Sequence, residues 1–90
     1  MLDLVMTSKF EKDLVVMRKR GKNLDILKNV IKRLCAEETL EYKYHVHKLK
    51  GRYLGFYECH IEPDWLLIYA VEKNDLVLVA SRTGTHSDLF

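Results

Sequence analysis

The sequence predicts a single α+β domain over residues 1–90, with an N-terminal strand and a two-helix hairpin packed on a twisted antiparallel sheet. Three observations carry this. Apolar residues recur at helical spacing between Phe10 and Leu34, the hydrophobic period changes to two after residue 52, and two apolar runs, Leu66 to Val71 and Leu76 to Ala80, flank a polar tetrapeptide. Ninety residues have room for one core, and a composition of 48% hydrophobic and 31% charged residues gives that core enough apolar surface to fold.

Taken in order, Leu2, Leu4 and Met6 alternate with Asp3, Val5 and Thr7, the pattern of a short opening strand. Ser8 followed by Glu11 fits a capping box, and Phe10, Leu14 and Met17 then form one stripe until Gly21 stops the helix. A second helix begins near Asn23 and aligns Leu24, Leu27, Ile31 and Leu34. The short link between the two forces an antiparallel hairpin. Residues 37–51 carry no clear period and read as loop or short strand. From Tyr53 to Ile61 the chain alternates, with Leu54, Phe56, Glu58 and His60 on one face and Tyr53, Gly55, Tyr57, Cys59 and Ile61 on the other. Pro63, the only proline, ends that strand. The remaining two strands are joined by the turn Glu72-Lys73-Asn74-Asp75.

No apolar run approaches the roughly 20 residues of a membrane span, and no signal-peptide pattern opens the chain. A cytoplasmic protein with no membrane partner is expected. Cys35 and Cys59 form no CxxC and no disulfide framework, so both are expected reduced and buried. The net charge of +2 hides an asymmetry: residues 8–34 carry nine basic and three acidic side chains, whereas residues 35–90 carry six basic and nine acidic ones. A basic hairpin suits a polyanion or an acidic protein, with a solvated helix face as the plain alternative.

All four histidines lie in the acidic part. Glu58 and His60 share one face of a strand otherwise rich in aromatics, Arg82 ends the last strand, and His86 follows Thr83-Gly84-Thr85. A lone histidine is more often a surface or core residue than a catalyst. The conjunction of His47, His60 and His86 with Glu58, Asp64 and Arg82 is what suggests a site. Zinc binding by His47, His60, Asp64 and His86 is disfavoured by spacings that match no compact ligand motif, so no metal and no cofactor are expected. A Cys59 thiolate paired with a histidine is disfavoured by strand parity, which puts Cys59 opposite His60. Metal-free phosphoryl transfer uses the set more fully: one imidazole removes a proton from an RNA 2′-hydroxyl, another donates one to the leaving 5′-oxygen, and arginine stabilises the phosphate.

The stretches His47-Lys48-Leu49-Lys50-Gly51, Glu58-Cys59-His60-Ile61-Glu62-Pro63-Asp64-Trp65 and Arg82-Thr83-Gly84-Thr85-His86-Ser87-Asp88-Leu89-Phe90 resemble the YafQ branch of the RelE/ParE toxin superfamily over essentially the whole chain. The resemblance implies a RelE-like fold and a metal-independent endoribonuclease toxin of a type II toxin–antitoxin pair. It further implies that mRNA on the ribosome is the substrate and that a cognate antitoxin forms a hetero-oligomer with a toxin monomeric alone. Carried over by position, His47, His60, Asp64, His86 and Arg82 are the catalytic set, with His86 as acid, His60 or His47 as base and Asp64 orienting an imidazole. Glu58 and Phe90 fall at substrate-binding positions, and the basic hairpin offers Arg18, Lys19 and Arg20 to ribosomal RNA. His45 matches no site position, and Trp65 reads as structural. The chain departs from the family at Tyr57, where an arginine is usual, and at Val46 and Lys48, where an Asp-His-Pro triplet is usual. The alternative is a ParE-type toxin that inhibits DNA gyrase, although such chains generally lack this histidine set.

Overall fold

In the computed structural model, which describes residues 1–90, the chain runs β1 (Asp3–Met6), α1 (Ser8–Lys19), α2 (Leu24–Cys35), β2 (His47–Lys48), β3 (Tyr57–Glu62), β4 (Trp65–Glu72), β5 (Val77–Gly84) and α3 (His86–Leu89). Turns of 3-10 helix lie at Tyr42–Tyr44 and Gly51–Tyr53. The strands form one sheet in the order β1-β5-β4-β3-β2. It is mixed and not antiparallel throughout as expected, because β1 pairs parallel with β5. The helices carry the chain over one face between these strands, and a parallel pairing needs such a long connection. No helix is long and apolar enough to cross a membrane.

The cap of α1 is Thr7, one residue before the expected Ser8. Its Oγ1 accepts from the Phe10 N–H at 3.0 Å and donates to the Ser81 carbonyl at 2.8 Å, so one hydroxyl both starts the helix and ties it to β5. Gly21, at φ 84°, ends α1 with the Lys22 N–H bonded back to the Met17 carbonyl. Asn23 caps α2 through the Asp25 N–H. The buried stripe of α2 is Leu27, Val30, Ile31 and Cys35, with Leu24 and Leu34 at its margins.

Beneath the helices, Cys59 and Ile61 of β3, Trp65, Leu67 and Tyr69 of β4, and Leu78 and Ala80 of β5 form the main core with Phe10 and Met17. Trp65 has no exposed surface and its Nε1 donates to Thr83 Oγ1 at 2.9 Å, a structural role. Tyr57 stacks on Tyr69 on this same face, away from the histidines. The opposite face carries a smaller cluster of Leu66, Ile68 and Leu89, edged by Leu49, Tyr53 and Phe56. Tyr53 was expected in a strand on the Tyr57 face. It lies instead in the 3-10 turn, and Gly55 at φ 92° redirects the chain before β3 begins. Leu76 was expected in the last strand and is the left-handed residue of the preceding turn, at φ 54°.

Candidate active site

Sheet register builds the site face. In one row His47 of β2 pairs with Glu58 of β3, Glu58 with Ile68 of β4, and Ile68 with Arg82 of β5; in the next, His60 pairs with Leu66 and Leu66 with Gly84. Cross-strand partners share a face, so His47, Glu58, His60 and Arg82 all rise on the side away from the helices. For Arg82 this reverses the simple parity with Leu78 and Ala80. A register shift opposite Ile68 and Tyr69 leaves Ser81 unpaired and turns Arg82 to the other side.

Glu58 is only 4% exposed, and its Oε1 lies 3.6 Å from Nε2 of His47 and 3.4 Å from Nε2 of His60. His47 Nδ1 is 2.8 Å from the His45 carbonyl and, facing an acceptor, carries the proton. His47 is thus tied through Nδ1 to its own loop, with Nε2 near Glu58 but beyond hydrogen-bond distance.

His86 begins α3. Asp64, in the tight turn between β3 and β4, accepts on Oδ1 from the His86 backbone N–H at 3.0 Å and stands 2.8 Å from Nδ1 of the same ring. These two bonds hold the Asp64 carboxyl below its usual range. The Nδ1 proton points at the carboxylate, which leaves Nε2 free. The His60 and His86 ring centres are 5.8 Å apart.

A latch from the far end of the basic hairpin sets α3. Thr85 and Asp88 form a capping box, with Asp88 Oδ2 accepting from the Thr85 N–H at 2.9 Å and Thr85 Oγ1 from the Asp88 N–H at 3.2 Å. Arg20 forks onto both oxygens of Asp88 at 2.7 and 3.0 Å. The guanidinium first, and the Thr85 N–H second, hold the Asp88 carboxyl far below the ordinary carboxylate range. A side chain at Gly84 would put its Cβ 2.9 Å from Asp88 Oδ2, so only glycine fits against the latch.

The proposed residues divide accordingly. Glu58, His60, Asp64 and His86 converge, with His47 at their edge. Arg82 and Phe90 lie beside them in a separate cavity of about 320 Å³ with Lys9, Arg52 and Tyr53. Arg82 Nε and Nη2 donate to Asp13 of α1 at 2.8 and 3.1 Å, which fixes the guanidinium in place. Arg18 and Lys19 are exposed on α1 and make no ion pair, whereas Arg20, expected as a phosphate contact, is committed to Asp88. His45, which matched no site position, has its ring 5.2 Å from that of His60. Ring spacing across a loop leaves no periodic trace, and nothing in the sequence pointed to it.

Glu58, His60 and His86 offer ligand atoms within 4.8 Å of one another and are the residues able to hold a metal ion. This set differs from the one weighed by sequence spacing, since it draws Glu58 in place of His47 and Asp64. Cys59 is buried on the opposite face, and burial, with the Glu58 charge second, pushes its thiol up to about 12, which removes it as a nucleophile at neutral pH.

The family model described as the bacterial toxin of a type II toxin-antitoxin system, YafQ, matches residues 2–90, and the chain belongs to this YafQ family. It is 37% identical over 90 residues to the mRNA interferase toxin YafQ of Escherichia coli K12, covering 98% of this chain and 95% of that protein. A metal-bound toxin from Helicobacter pylori is 42% identical, with a TM-score of 0.94 and full coverage of both chains. The toxin in the E. coli DinJ–YafQ complex is 35% identical, with a TM-score of 0.89, over 100% of this chain and 99% of that one.

Proposed function

We propose that this protein is an endoribonuclease toxin that cuts mRNA on the translating ribosome by transesterification and is held inactive in a hetero-oligomer with an antitoxin. Family membership supports the coarse activity, mRNA interference under antitoxin control. The observation that carries the mechanism is the Asp64–His86 pair facing His60. His60 serves as base, since its ring faces that of His86 at 5.8 Å, whereas His47 sits at the edge with its Nδ1 bonded to the His45 carbonyl. It takes the proton of a 2′-hydroxyl as the 2′-oxygen attacks phosphorus. The bond from phosphorus to the 5′-oxygen then breaks, and His86 Nε2 delivers its proton to that oxygen. The products are a 2′,3′-cyclic phosphate and a 5′-hydroxyl. Glu58 orients His60 and His47, Arg82 takes charge on the phosphate from the adjoining cavity, and Phe90 supplies a face for a base. A substrate on ribosomes places the activity in the cytoplasm. The histidine set also favours this reading over gyrase inhibition, since binding to a protein calls for no proton transfer.

The test is to incubate the protein with programmed ribosomes and map mRNA ends. Internal cuts with the two product ends above, a bell-shaped pH profile, and a loss of about 10²- to 10⁴-fold in His86→Ala are expected. Intact mRNA, or 3′-phosphate-free products, refutes the mechanism.

A further inference from the structure

The imidazoles belong to a longer row of rings. Tyr42 to His45 is 5.4 Å between ring centres, His45 to His60 5.2 Å, His60 to His86 5.8 Å and His86 to Phe90 6.4 Å. Beyond Phe90, on one side of the proposed acid and base, the row runs into Tyr53 at 5.6 Å; Tyr42 ends it on the other side. Tyr42 is 88% exposed. It is held there by its own turn: Tyr44 packs against the main core, and His45 closes the turn in the left-handed conformation, at φ 47°. That conformation is unfavourable for a residue with a Cβ, and here it brings the His45 ring between Tyr42 and His60 while aiming the His45 carbonyl at His47 Nδ1. Beside the row opens a cavity of about 760 Å³ whose lining includes Lys43, His45, His47, His60 and Pro63, large enough for a nucleoside.

We propose that Tyr42 and His45 form a nucleobase shelf that holds a nucleotide adjoining the scissile phosphate. This rests on the ribonuclease reading above and adds a subsite to it. An exposed tyrosine has a π-face that any base can stack on, and a row of rings leading into the acid–base pair delivers the backbone between them. Lys43, on the same turn, supplies a cation for the phosphate of the bound nucleotide. Tyr42 and His45 are binding residues here and carry no proton in the reaction.

The test is single-turnover cleavage on programmed ribosomes, read as half-saturating toxin concentration and maximal rate. Tyr42→Ala should raise the half-saturating concentration by about 5- to 150-fold, the range for one lost base stack, with the maximal rate within about threefold of wild type. Tyr42→Phe should behave as wild type. His45→Asn, which tolerates the left-handed backbone but lacks the ring, should also weaken saturation. On mRNAs made abasic at each nucleotide flanking the cut in turn, one position should abolish the further effect of Tyr42→Ala. A Tyr42→Ala protein that saturates like wild type, or an effect that persists at every abasic position, overturns the shelf while leaving the ribonuclease intact. A wild-type protein that cuts no RNA overturns both.

Discussion

Removing the Asp88 carboxylate tests whether α3 is a mount for His86. Asp88→Ala deletes the N3 half of the capping box and both bonds to Arg20, while Leu89 remains in the small cluster that covers β4. Loss of a capping interaction costs about 0.5–2 kcal/mol. On a helix of four residues that cost falls on the local equilibrium that holds His86 against Asp64, and one to two kcal/mol shifts an equilibrium by roughly 5- to 30-fold. Turnover in Asp88→Ala should fall by about that factor. Gly84→Ala should reproduce the defect, because its Cβ would meet Asp88 Oδ2 at 2.9 Å. The decisive assay is a cycle on programmed ribosomes: if Asp88 acts only by placing His86, the double variant His86→Ala with Asp88→Ala should cleave no more slowly than His86→Ala alone. Losses that multiply would refute the mount and give Asp88 a role of its own.

Acid stability follows from the same carboxylates. Asp88 and Asp64 ionise at lower pH folded than unfolded, so their contribution is present above the ordinary carboxylate value of 3.8 and is lost as pH falls through the folded values; melting temperature should drop below about pH 4, and less steeply in Asp88→Asn. Cleavage should survive EDTA, whereas added Zn²⁺ or Cu²⁺ should inhibit by occupying Glu58, His60 and His86, with inhibition relieved by EDTA; chelation that abolishes activity would require a metal in the reaction. The double substitution Arg18→Gln with Lys19→Gln should flatten the slope of log ribosome affinity against log salt by about 0.7 to 0.9 per lost phosphate contact and leave cut positions unchanged, and an unaltered slope would make that face merely solvated.

Much of the site face was legible because strand parity is strict within an unbroken register: Glu58 and His60 fall together, and Cys59 and Tyr57 opposite, as alternation requires. Alternation alone would have set Arg82 with Leu78 and Ala80; one bulged residue, Ser81, inverts every position after it, and the sequence around it is ordinary strand. The cap moved from Ser8 to Thr7 for a tertiary reason, a bond to a carbonyl 74 residues away that no local pattern contains. His45 read as lying outside the site because a left-handed histidine in an aperiodic loop has no sequence mark. The loop's approach to His60 depends on Tyr44 finding the core and on one unfavourable φ.

The charge asymmetry gains a different meaning from its pairings. Arg20 bonds Asp88, Lys22 bonds Glu62 at 2.8 Å, Arg33 bonds Glu38 and Glu41, and in the reverse sense Asp13 bonds Arg82. Basic residues of the hairpin are therefore matched to acidic residues of the later chain, and two of these pairs, at Asp88 and Arg82, end on groups beside the proposed acid. The exposed ones among these pairs add little to stability, but all set the position of what they hold. The cations left without an ion pair, Lys9, Lys12, Arg18, Lys19, Lys28 and Lys32, are the only ones in the hairpin free to meet an outside polyanion. One hairpin thus carries two sets of cations, one that fixes the site from within and one left unpaired at the surface, which the proposed function assigns to an outside polyanion. A count of net charge merges the two, and only the map of ion pairs separates them.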